Sequence, residues 1–292
     1  TTISGQLSIR NSLALGAADG TNATGTILSG GTLTLDGVLT VGGELLTANA
    51  GSLTATGNSD WGGEIVVGGL LLRTAQDTTF TISGNISGNG GLTVDGGMTS
   101  GQETVGRYVF SGTNTYLGAT GFNNPNAGTL LVNGTQPSSS IYFGAGSGTL
   151  GGSGTVGDLL LGQYRQGCSV SPGAVPGPGI LRSGSADLRY TRFVVELDGD
   201  TAGNNLGNYD QLQVTGTVTL ANALAVSIGN AYTPIANQQF TIIANDGADP
   251  VSGTFTDLPE GSLLTLGRNV LRISYVGGDG NERQREQPPP ER

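Results

Sequence analysis

Histidine and lysine are both absent from this chain, and each absence removes a class of chemistry. Without histidine there is no ordinary general base near neutral pH, no usual catalytic zinc ligand and no common near-neutral switch. Without lysine the 12 basic residues are all arginine, set against 22 acidic ones for a formal charge of −10. That balance does not suit duplex nucleic acid or an anionic membrane surface. Cys168 is the only cysteine, so an intramolecular disulfide and a thiolate metal cluster are excluded. Its expected role is a small semi-buried residue, with a reactive or intermolecular thiol as the alternative. Apolar runs stop at three or four residues, as at Leu70, Leu71 and Leu72, too short for a transmembrane helix. The chain opens on Thr1 and Thr2 with no basic start and no apolar stretch after them, so it is expected to be a mature or excised segment.

What the chain has in excess is glycine, at 53 of 292 positions. A helical bundle is excluded, because glycine costs about 1 kcal/mol per helix-interior position relative to alanine and no long 3.6-residue period appears. Disorder is excluded by a hydrophobic fraction of 36% in which Val, Ile and Leu alternate with Thr and Ser. Collagen is excluded because glycine does not recur at every third position. An all-β, turn-rich protein remains. Short strands are expected at Gln6–Leu15, Thr26–Leu28, Thr32–Leu35, Val38–Val41, Glu64–Leu72, Thr79–Ile82 and Leu92–Val94, broken by pairs such as Gly30-Gly31 and Gly68-Gly69. Strands this short, with few charges outside, suit a parallel β-helix (β-solenoid) better than a sandwich of hairpins. Coils of roughly 20 residues would make about a dozen of them.

Glycine-punctuated text is densest from Thr113 to Leu161, where Leu130, Val132, Leu150 and Val156 are expected to point inward. Ser171-Pro172-Gly173 and Pro176-Gly177-Pro178-Gly179 predict two turns. Beyond Ser183 the strands lengthen, at Phe193–Leu197, Gln211–Val214, Val218–Leu220, Leu224–Ile228, Phe240–Ile243 and Val270–Tyr275. Four segments follow: glycine-rich coils over 1–110, repeat coils over 111–182, better packed coils over 183–280, and a solvated, disordered Pro-rich tail over 281–292.

The span from about Gly112 to Gly280 resembles the passenger-associated transport repeat, or autotransporter-associated β-strand repeat, together with the passenger segment that follows it in bacterial autotransporters. The resemblance rests on Ser111–Tyr116 (SGTNTY), Gly128–Gly134 (GTLLVNG), Thr149–Gly157 (TLGGSGTVG), Ser169–Leu181 (SVSPGAVPGPGIL), Phe193–Asp198 (FVVELD), Tyr209–Gly216 (YDQLQVTG) and Val276–Asn281 (VGGDGN). It implies a right-handed parallel β-helix displayed outside a bacterial cell or on its surface as an adhesin, scaffold or stalk, in which the repeat assists secretion. Its implied partners are a host or cell-surface glycan or protein if the chain is an adhesin, and otherwise copies of itself. The chain departs from the family in lacking a C-terminal translocator barrel, which would need many alternating strands of about ten residues.

Candidate chemistry is sparse. Glu196, Asp198 and Asp200 would share one side of a strand, as carboxylates of polysaccharide-acting β-helix enzymes do, although a solvated strand end is the stronger reading. Gly277-Gly278-Asp279-Gly280-Asn281 is half of a calcium-binding nonapeptide repeat and stands alone. Gly151-Gly152-Ser153-Gly154 lacks the helix and lysine of a phosphate cradle. Asn22, Asn85 and Asn133 head glycosylation sequons. Trp61 is either an exposed carbohydrate or partner contact or a cap on the apolar core. The expectation is therefore a non-enzymatic protein with no catalytic, cofactor or metal residues. A self-assembling filament or surface-layer subunit is the alternative, and a polysaccharide enzyme the second alternative.

Overall fold

The computed structural model describes residues 1–16, 19–21, 25–96, 106–122, 128–144, 148–160, 167–229, 232–246, 249, 251–277 and 282–286, with backbone alone for 96 and 282–286. Among them there are strands and turns but no helix, so none is long and apolar enough to cross a membrane. Strands stack in parallel in sequence order, which makes the protein a parallel β-helix. It divides into two compact units, one of Thr1–Thr149 with Thr155–Gly157 and one of Leu150–Gly154 with Asp158–Arg292.

In the first unit a coil is three short strands joined by corners, such as Ser59–Trp61, Ile65–Val67 and Leu70–Thr74. Val41 lies beside Trp61, Trp61 beside Ile82, Ile82 beside Phe110 and Phe110 beside Val132, so coils close after 20, 21, 28 and 22 residues, three of the four near the expected length. Alternation along each strand sends every second side chain inward. One inward column runs Leu33, Leu53, Leu72, Val94, Phe122, and another Val41, Trp61, Ile82, Phe110, Val132. All of these are at most 1% exposed. Leu130, Val132, Leu150 and Val156 are buried as expected, and so is Leu159. Several strand expectations change: Gln6–Leu15 is a strand only as far as Ile9 and Val38–Val41 only over Thr40–Val41, and two glycine pairs behave differently. Thr26–Leu35 is one ten-residue strand that passes through Gly30-Gly31 with an irregular register, because Gly30 at φ 81° bends the chain without ending its pairing. The stretch Glu64–Leu72, expected as a single strand, divides at Gly68-Gly69 into Ile65–Val67 and Leu70–Thr74.

Corners set the tightest steric constraint in this unit. A β-carbon at Gly84 would collide with the carbonyl oxygen of Gly63, one at Gly112 with that of Gly84, and one at Gly134 with that of Gly112. These four glycines form a column one coil apart, and the backbones approach too closely for any side chain.

In the second unit the coils lengthen. Leu181 lies beside Leu212 and Leu212 beside Ile243, a spacing of 31 residues rather than the 20 or so expected. The added length lies in connecting loops and in longer strands such as Arg192–Leu197. The third face then changes character. Gln239–Asn245 pairs antiparallel with Glu282–Glu286, which pairs antiparallel with Asn269–Gly277, itself antiparallel to Leu263–Leu266. The expected disordered tail is thus a strand over Glu282–Glu286, while 281 and 287–292 lie outside the described residues. Backbone pairing is blind to side-chain polarity, so a segment without aliphatic residues can fill a slot between two strands. Under this cap Phe255 stacks on Phe193 with ring centroids 6.2 Å apart, and its N–H donates to Tyr275 Oη at 3.0 Å.

Replacing Gly112 by alanine is expected to lower stability by about 1–3 kcal/mol or more, the usual cost of overpacking. Gly42 has no atom within 4 Å of a built β-carbon, so Gly42→Ala is the near-neutral control. Equal thermal midpoints for the two variants would contradict the close-approach account.

Candidate functional site

A cluster of polar side chains in the second unit surrounds the loop Ser171–Gly179. Gly173 exchanges two backbone hydrogen bonds with Gly152, at 2.6 and 2.8 Å, so the glycine run near Gly151 belongs to strand pairing and not to a phosphate cradle. Gly173 and Gly177 sit at φ 92° and 133°, which glycine tolerates, and Val175 at φ 46°, which a β-branched residue rarely adopts. The Val175-Pro176 peptide is cis. A loop of this kind leaves N–H groups without strand partners, and side chains take them up. Gly177 N–H donates to Glu196 Oε2 at 2.6 Å, Gly179 N–H to Asp210 Oδ1 at 2.8 Å, and Ile180 N–H to Asn204 Oδ1 at 2.7 Å. Asp210 Oδ2 accepts Glu196 N–H at 2.8 Å.

Asp210 is therefore the hub, with both oxygens engaged and no solvent exposure. Burial pushes its carboxyl up to about 8, against the two N–H donors, and the charges of Glu196 and Asp198 add to the rise. Glu196 and Asp198 do lie half-buried on the outward side of the strand, but the strand ends at Leu197 and Asp200 is exposed in the turn beyond it. The three predicted carboxylates therefore do not line one strand face. Asp210 was not singled out in the sequence; its only signal was Tyr209-Asp210 opening the apolar strand Gln211–Val214. A raised carboxyl beside a second carboxylate can serve acid–base chemistry, yet a general acid must reach the atom that it protonates. Asp210 is closed to solvent and Glu196 Oε2 is occupied by a backbone donor. What this arrangement does is tie a loop to a strand.

No protein-family model matches this chain, and no curated protein sequence does.

The remaining candidates are placed by burial. Trp61 is fully buried between Val41 and Ile82, so it belongs to the core and offers no face to a sugar. Cys168 is buried and in no disulfide. Asn85 Oδ1 accepts Thr113 N–H at 2.9 Å, a structural use of a sequon residue, and Asn22 lies outside the described residues. So do 278–281, the greater part of the calcium half-repeat. Among the described residues no group of three His, Cys, Asp or Glu side chains is placed to hold a metal. A shallow groove of about 400 Å³ in the first unit is lined by Gly69, Leu71, Gly91, Thr93 and Tyr142. The Tyr142 ring occupies the space that a side chain at Gly121 would need.

Two outcomes follow. With an ordinary carboxyl pKa near 3.9 in the unfolded chain, folded Asp210 holds a proton that the unfolded chain has released between about pH 4 and about pH 8. Its contribution to stability is complete below about pH 4 and is lost as pH rises through about 8. Asp210→Asn should flatten that decline in thermal melts, and parallel curves for wild type and variant would refute it. Asp210→Ala strands two N–H donors and should cost about 2–5 kcal/mol. Second, Trp61 fluorescence should resist acrylamide quenching and stay unchanged on adding glycans; a glycan-dependent shift would return Trp61 to the surface.

Proposed function

We propose that this chain is a non-enzymatic β-solenoid that serves as a scaffold, stalk or adhesin outside a bacterial cell, in the manner of an autotransporter passenger. The observation that carries this reading is the use to which the fold puts its side chains. Coil after coil repeats the same inward apolar columns, and the buried or half-buried acids Asp210 and Glu196 cap backbone N–H groups. The resemblance of Gly112–Gly280 to the passenger-associated repeat supplies the cellular setting. Outward faces rich in Thr, Ser and Asn, together with the groove beside Tyr142, give a partner glycan or protein an uncharged surface to meet.

The filament alternative has less support. End-to-end stacking needs a free parallel edge at both ends, and the last coil of the second unit is closed on one face by antiparallel strands. The polysaccharide-enzyme alternative requires Glu196 to be available, and its carboxylate already accepts Gly177 N–H.

Placed behind an export signal and ahead of an outer-membrane translocator barrel, the chain should reach the surface of a Gram-negative cell and be shaved off by added protease. Such cells should adhere to a glycan-coated or protein-coated surface before shaving and not after. Retention inside the envelope would count against the passenger reading. Product released from any glycan, and abolished by Glu196→Gln, would replace it with an enzyme.

A further inference from the structure

The corners of two successive coils in the first unit bury five polar side chains. Asn114, Tyr116, Thr120, Gln136 and Ser139 are each at most 1% exposed. Thr113 pairs in parallel with Thr135, and Asn114 N–H donates to Thr135 O at 2.7 Å, which sets Asn114 next to Gln136. The following member of that inward column is Val156. The hydroxyls satisfy one another: Tyr116 Oη lies 2.6 Å from Thr120 Oγ1, which lies 3.2 Å from Ser139 Oγ. Asn114 Oδ1 accepts Ile86 N–H at 2.9 Å. Three atoms remain, Asn114 Nδ2 and the Nε2 and Oε1 of Gln136, and none has a hydrogen-bonding partner in the protein. The Gln136 amide lies close to the Tyr116 hydroxyl but outside hydrogen-bonding geometry.

An amide buried with both ends unpaired is costly, whereas an aliphatic side chain in the same column is not, as Val156 illustrates. The leftover groups comprise donors from both amides and an acceptor from Gln136. Their complement is a small molecule that donates two hydrogen bonds and accepts two. We propose that Asn114 and Gln136 hold an internal water molecule between these two coils. It completes the polar cluster and ties one coil to the next where the apolar columns do not. This inference is independent of the cellular role proposed above.

A crystal structure of the whole chain, at a resolution that shows ordered water, is expected to place a peak within hydrogen-bonding distance of the Gln136 amide and Asn114 Nδ2. A Gln136 amide bonded directly to Asn114 or Tyr116, with no such peak, overturns the proposal. In solution, water relaxation dispersion should show at least one long-lived internal water in the wild type that is lost in Gln136→Leu. An unchanged dispersion amplitude in the folded variant overturns it equally, and if the variant does not fold the wild-type crystal structure decides.

Discussion

Everything in the first unit depends on how closely one coil can lie upon the next. Parallel strands pair only when their backbones are about 4.8 Å apart, and at the corner occupied by Gly63, Gly84, Gly112 and Gly134 the approach leaves no volume for a β-carbon. With a side chain there the corner would open, and the strands on either side would lose register. The inward columns that exclude water would lose it with them. Glycine content, which costs conformational entropy in the unfolded chain, is thus the condition for the apolar burial that offsets that cost.

The second unit solves a different problem. Its coils, 23 residues from Val170 to Phe193 and 31 from Leu181 to Leu212, carry long connections, and long connections leave N–H groups that no neighbouring strand receives. Asp210, Glu196 and Asn204 receive them around Ser171–Gly179. The acidic residues that invite a catalytic reading are therefore the means by which a Pro- and Gly-rich loop is held against the solenoid. The raised carboxyl of Asp210 follows from that placement, since an acceptor shared by two backbone donors in the core must itself be buried. Closure of the last coil answers a related need. The antiparallel strands after Leu263 and the Phe193, Phe255 and Tyr275 rings cover apolar surface that a further coil would otherwise bury.

The architecture was largely legible in the sequence, because its signals are local. Alternation in Thr79–Ile82, Gln211–Val214, Val218–Leu220 and Leu224–Ile228 placed those strands at their observed limits, and the inward assignment of Leu130 and Val132 followed from the same period. Glycine was less reliable as punctuation. Gly68-Gly69 interrupts a strand, whereas Gly30-Gly31 turns within one, although the same strand Leu46–Ala55 lies beside both. The acids were read chiefly as a solvated strand end, which left out the residue that organises them. Glu196, Asp198 and Asp200 drew attention by their spacing, while the buried hub Asp210 looked like one acid before one strand.

Sequence alone thus determined an all-β chain of short parallel strands, the length of most coils in the first unit and several of its inward residues. Each of these depends on a residue and its immediate neighbours. Tertiary structure decided which glycines are sterically required, why Trp61 belongs to the core, and which acids are spent on backbone donors. It also decided that a strand without aliphatic residues completes the final sheet. All of these depend on atoms that lie one coil away in space and some 20 to 30 residues away in the chain, a neighbour that only stacking supplies.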